Sequence, residues 1–194
     1  MNQSFANKKN ILATIVILCV CLLLPLAGFT KETATIENIK LANTRDVLLA
    51  YFDVAQAFTE KLNQAVLNGI PTTFSFYVSL YKTDDSWFDR KIADIQVKSI
   101  LKYNSLKKEF SIYRPWKKEH TIVTESFDEA KSFMTEIDNL RIIALNRLVK
   151  GDKYQLKIKA TLDKVTLPLS LHSIFFFVSF WDFETNWCLI NFTY

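Results

Sequence analysis

Residues 73–81 run Thr73-Phe74-Ser75-Phe76-Tyr77-Val78-Ser79-Leu80-Tyr81. In an extended backbone successive side chains point to opposite faces, so Phe74, Phe76, Val78 and Leu80 share one face. Ser75, Tyr77, Ser79 and Tyr81 share the other. This alternation predicts an antiparallel strand with one buried and one wet face. The same pattern returns downstream. Ala93, Ile95, Val97, Ser99, Leu101 and Tyr103 alternate with Asp94, Gln96, Lys98 and Lys102, after a turn around Asp84-Asp85-Ser86. Asn104-Ser105 predicts a second turn, with Leu106, Phe110 and Ile112 continuing the alternation back.

Outward from this hairpin, Val47 to Val54 is an apolar run of strand length. Residues 31–45 are a polar lead-in whose apolar anchors, Ile36, Ile39 and Leu41, suit a first edge strand. Phe58, Leu62, Ala65 and Val66 recur at helical spacing, with Thr59 to cap the start, Gly69 to end it and Pro71 to block continuation. Ser126-Phe127-Asp128-Glu129 reads as a capping box opening a helix whose stripe is Phe127, Ala130, Met134 and Ile137. Leu140–Leu145 reads as a strand. After Gly151, Tyr154, Leu156, Ile158, Ala160 and Leu162 alternate with Lys153, Gln155, Lys157, Lys159 and Thr161. Trp187–Tyr194 closes the sheet. The expected fold is mainly β: an antiparallel β-sandwich of seven or eight strands with two short helical insertions. The βαβ rhythm of a parallel sheet is missing.

The N-terminus reads as an address. A polar stretch with Lys8 and Lys9 precedes Ile11–Leu24, apolar except for Thr14, and then Pro25 and the small residues Ala27 and Gly28. These are the parts of a secretory signal. The apolar stretch from Ile11 to Phe29 also has about the least length that spans a bilayer. Residues 1–30 are therefore expected to be a signal peptide or a retained signal-anchor helix. The protein is expected to be exported across the cytoplasmic membrane, periplasmic or anchored on the outer side of the inner membrane. Residues 46–194 form the exported domain.

Composition narrows the function. The chain has 194 residues, 49% of them apolar and 23% charged, a globular balance. Three glycines leave no phosphate-cradling loop. Beyond residue 30 basic and acidic residues nearly cancel, which argues against a nucleic-acid partner. His120 and His172 stand apart from Cys and carboxylate at ligand spacing. With Cys19 and Cys21 in the N-terminal segment, Cys188 is alone, and it reads as a small buried hydrophobe between Trp187 and Leu189. Asp84, Asp85 and Asp89 fit a solvated turn better than a calcium loop, lacking the terminal Glu. Asp182 and Glu184 have no group nearby to make them an acid/base pair. Lys153, Lys157 and Lys159, with Lys107 and Lys108, form a basic set suited to anionic headgroups or, more economically, to a solvated sheet face. No metal, cofactor or catalytic residue is expected, and the protein is read as non-enzymatic.

The aromatic fraction is 14%, with sixteen Phe. Ile174-Phe175-Phe176-Phe177-Val178-Ser179-Phe180-Trp181 lacks alternation, so both of its faces need burial by something. It is either core or an apolar patch for a membrane surface or a partner protein. Phe175, Phe176, Phe177, Phe180 and Trp181 are the candidate interaction residues.

Glu60–Asn68 with Gly69-Ile70-Pro71, the Thr73–Tyr81 strand, Ser86-Trp87-Phe88-Asp89-Arg90-Lys91 and Leu101-Lys102-Tyr103-Asn104 form an ordered set. With the Ser126 helix and Phe180-Trp181-Asp182-Phe183-Glu184-Thr185-Asn186-Trp187, it resembles the bacterial DUF4390 family of exported proteins over about residues 45–194. The resemblance implies an exported domain of unknown function, without assigned catalytic residues, linked to membrane sensor kinases. The reading that follows is an interaction or scaffold module at the membrane, with a membrane surface or envelope membrane protein as partner. The alternative is a β-domain holding a lipid or small hydrophobic ligand between its sheets.

Overall fold

The computed structural model describes residues 33–83, 89–163 and 183–194. The strands expected from alternation are present. β1 (Thr35–Asn43) and β2 (Val47–Ala55) lead into helix α1 (Glu60–Leu67). β3 (Thr72–Thr83), β4 (Arg90–Asn104), β5 (Glu109–Tyr113) and β6 (Thr121–Thr124) follow. Then come helix α2 (Phe127–Thr135), β7 (Glu136–Ala144), a 3-10 turn at Leu145–Arg147, β8 (Lys153–Leu162) and β9 (Cys188–Thr193).

The strands form two antiparallel sheets, one ordered β1-β2-β7 and the other β6-β5-β4-β3-β8-β9. Nine strands appear among the described residues, more than expected, because the four-residue β6 gives too short an alternation to register. The signal or anchor helix of residues 1–30 and the candidate residues Phe175–Trp181 lie outside the described residues.

Both sheets turn their apolar faces onto one core. Phe74, Phe76, Val78 and Leu80 of β3 are fully buried, as are Leu156, Ile158 and Ala160 of β8. Each large apolar side chain so buried contributes about 1.5–3 kcal/mol relative to exposure. Phe52 of β2 meets Phe76 of β3 edge-to-face, with ring centroids 6.1 Å apart, which joins the two sheets. A chain of rings continues this contact. Phe58 tilts against Phe74 at 5.3 Å and stands edge-on to Phe127 at 6.3 Å, while Phe127 stacks on Phe110 at 5.1 Å. Much of the phenylalanine surplus is thus spent inside, in the offset and edge-on geometries that aromatic quadrupoles favour.

The helices keep their expected starts. Thr59 accepts from the Leu62 N–H and Ser126 from the Glu129 N–H, each at 3.3 Å. The capping box is only half formed: Glu129 accepts from the Thr124 hydroxyl, and the Ser126 N–H donates to Thr124 Oγ1 at 3.1 Å. α1 ends in a Schellman motif. The Ile70 N–H reaches Ala65 O at 3.1 Å and the Gly69 N–H reaches Val66 O at 2.8 Å. Gly69 sits at φ +81°, a left-handed conformation that residues with a Cβ rarely adopt.

Two boundaries differ from the sequence reading. Ile137 leaves the helical stripe and belongs to β7, opposite Phe52; pairing with β2 outweighs local helical periodicity. Leu106 lies in the β4–β5 turn and is 95% exposed, with Asn104 Oδ1 accepting from the N–H groups of Leu106 and Lys107. That Asx turn closes the hairpin, and alternation resumes only at Phe110.

Candidate functional site

β3 and β8 lie side by side in the larger sheet, with register Tyr77↔Lys159, Ser79↔Lys157 and Tyr81↔Gln155. Opposed residues of an antiparallel pair share a face, so the outward alternations of both strands merge into one surface. β4 adds Asp94 and Lys98, opposite Ser79 and Ser75. β9 adds Leu189, Asn191 and Thr193, opposite Lys157, Gln155 and Lys153. The result is an outer face of tyrosines, small hydroxyls and lysines over an inner face that is apolar except for the buried Thr72 and Ser99.

Lysine and aromatic rings meet along this surface. The Lys157 ammonium lies 4.4 Å from the Tyr81 ring centroid, and Lys91 lies 5.7 Å from the same ring. The Lys159 ammonium lies 5.4 Å from the Trp187 ring and pairs with Glu184. Trp187 and Leu189 are 47% and 53% exposed, placing two large apolar groups at the edge of the lysine row.

The acids of the face are already engaged. The Ser79 hydroxyl donates to Asp94 Oδ1 at 2.6 Å and Lys91 donates to Oδ2 at 2.9 Å. The serine hydrogen bond first, and the lysine second, hold the Asp94 carboxyl below its ordinary range. Lys98 pairs with Asp163 at 2.7 Å, and that hydrogen bond raises the Lys98 pKa. Since β3 lies between β4 and β8, the Lys98–Asp163 pair passes over β3. Lys153 and Lys157 have no carboxylate partner among the described residues.

At one end of β8 the chain departs for residues 164–182 and returns beside its point of departure. The Leu162 N–H donates to Phe183 O at 3.0 Å, and the Thr185 N–H donates to Ala160 O at 2.9 Å. Thr185, buried, accepts from the Ala160 N–H through Oγ1 at 3.0 Å. Phe183 packs edge-on to Phe74 with centroids 4.9 Å apart. The two ends flanking the Phe175–Trp181 stretch are thus clamped together at the rim of the larger sheet.

The other sequence candidates separate. Glu184 pairs with Lys159, whereas Asp182 lies outside the described residues, as do Asp84, Asp85 and His172. Asp89 and His120 are exposed. Cys188 is half-buried in β9 opposite Ile158. Lys107 and Lys108 lie in the β4–β5 turn, away from the β8 lysines, so the five-lysine set is two sets. No cluster of metal-ligating side chains occurs among the described residues, and no helix among them is long and apolar enough to cross a membrane.

A second polar group ties the two sheets together. Arg114, after β5, is nearly fully buried. Its guanidinium lies 5.1 Å from the Phe133 ring and 4.0 Å from Asp138 of β7, which Lys117 also binds.

The molecule belongs to the class of antiparallel two-sheet β proteins, with one wet sheet face edged by aromatic side chains. Its sequence places it more narrowly: the family model for DUF4390, a domain of unknown function, matches residues 31–191, and the chain belongs to that family. No curated protein and no solved structure matches it.

Proposed function

We propose that the chain is a non-enzymatic interaction module of the cell envelope. In this reading residues 1–30 direct it across the cytoplasmic membrane, as a signal peptide or an anchor. The Phe175–Trp181 stretch is its docking element. The observation that supports docking is the clamp at Leu162–Phe183 and Ala160–Thr185, which ties the described residues on either side of residues 164–182 to one rim of the larger sheet. A loop tied at both ends to a scaffold is pre-ordered at its base, which lowers the entropy lost on binding. An aromatic-rich sequence anchored to the sheet in this way is suited to an apolar surface on a membrane protein of the envelope, a sensor kinase among the candidates that the family suggests.

A photo-crosslinking amino acid at Phe176 in the native host tests this. A single membrane-protein adduct is the expected result. Capture of lipid moves the docking surface from a protein to the bilayer or to a bound lipid ligand. Crosslinks confined to the chain itself make the stretch core and overturn the reading.

A further inference from the structure

We propose that the outer face of β8, with its β9 border, is a contact surface for an anionic lipid bilayer. The inference rests on the envelope reading above, but it uses a different surface and different residues. Its basis is a local charge surplus. The outward acids Asp94, Asp163 and Glu184 are each taken by one lysine, Lys91, Lys98 and Lys159, and Asp89, which lines the same surface groove as Lys153, forms no ion pair with it. Lys153 and Lys157 remain without a carboxylate among the described residues, and both stand on one face of one strand. Lys153 is exposed, and Lys157 is half-buried along the Tyr81 ring. A long stem lying on an aromatic surface with the ammonium at its end is the arrangement by which lysine reaches a headgroup phosphate.

The border of the row argues for a bilayer over an acidic protein. Leu189 stands directly opposite Lys157 across the β8–β9 ladder, and Trp187 lies against Lys159. Both are about half exposed. Tryptophan and an aliphatic side chain next to lysines match the layered interface of a membrane, where rings sit at headgroup depth and cations meet phosphates.

The test uses the full chain in vesicles of phosphatidylcholine alone or mixed with phosphatidylglycerol, at low and high salt. Acetylation by a soluble reagent, read by mass spectrometry, reports each lysine. On anionic vesicles Lys153 and Lys157 should lose about fivefold in reactivity relative to neutral ones, the effect expected for a lysine near an anionic surface. High salt should restore that reactivity. Lys107 and Lys108 in the β4–β5 turn should not change, which separates contact of this face from general adsorption. A photo-crosslinker at Leu189 should capture lipid in the host. Equal reactivity of Lys153 and Lys157 in the two lipids overturns the proposal, and so does capture of a protein at Leu189. The docking reading stands or falls separately on what Phe176 captures.

Discussion

β8 presents two faces on one backbone. Inward, Tyr154, Leu156, Ile158, Ala160 and Leu162 are buried; outward, Lys153, Gln155, Lys157, Lys159 and Thr161 are exposed or half-buried. The inner face meets a second sheet, where shape and volume restrict the choice of residue. The outer face meets solvent, where a lysine row costs the fold little and is open to selection by a partner. On β3 the division is weaker. Phe76 faces the core and Tyr77 and Tyr81 are half-buried on the other face, but Ser75 and Ser79 of that face are buried, so it is not the wet face that the alternation predicts. The lesson is that stability and recognition are written on alternate residues of the same strands.

The largest expected break in this division is Phe76→Ala. Phe76 touches Phe52 of the other sheet and Trp116 of the β5–β6 loop. Its loss should cost about 3–5 kcal/mol, read as a fall in the urea midpoint. A cost below about 1 kcal/mol would mean that the sheets do not depend on one another there.

Next is Asp138→Ala, which strands the buried Arg114 guanidinium without its counter-charge. Partial exposure of Asp138 limits the expected loss to about 2 kcal/mol by the same measurement. Thr59→Ala and Ser126→Ala each remove a helix cap and should cost about 1 kcal/mol. Because Thr124 also serves the Ser126 N–H, the Ser126 change leaves part of that cap in place.

The outer face should respond in its titration more than in its stability. Asp94 is held below its ordinary carboxyl range by Ser79 and Lys91. A carboxyl lowered in the folded state stabilises the fold fully above its unfolded pKa. That contribution fades as pH falls through the lower folded value. Ser79→Ala removes the hydrogen bond that lowers it most, so Asp94 should titrate at higher pH in a carboxyl-detected NMR titration. An unchanged titration would assign the lowering to Lys91. The smallest effect belongs to Lys157→Gln, which should shift stability by about 0.5 kcal/mol or less. A larger loss would show that the cation over Tyr81 supports the sheet, and would blur the division between the faces.

Much of this was legible in the residue pattern. The alternations of 73–81, 93–103 and 153–162 are β3, β4 and β8, and Thr59, Gly69 and Ser126 bound the helices as expected. Of the two readings that failed, one was decided at a distance and one by a neighbouring side chain. Ile137 fits a helical stripe by spacing, yet sits opposite Phe52 in β7, because a partner strand from early in the chain satisfies its backbone. Leu106 fits the alternation of β5, but the Asn104 side chain closes a turn there. The lysines of β8 were visible as a wet row. Tyr77 and Tyr81 beside them, and Trp187 and Leu189 at their border, were not grouped with it, because nothing local says that β3 and β9 flank β8.

By itself the sequence determined the class of fold, the facing of each long strand, the caps and the family. These depend on alternation, capping chemistry and composition, all of them short-range. Tertiary structure alone decided that β7 joins β2, that β8 lies between β3 and β9, and that residues 160–162 clamp residues 183–185. Strand order is set by which apolar faces can be buried together, a property of the whole core that no local window of sequence contains.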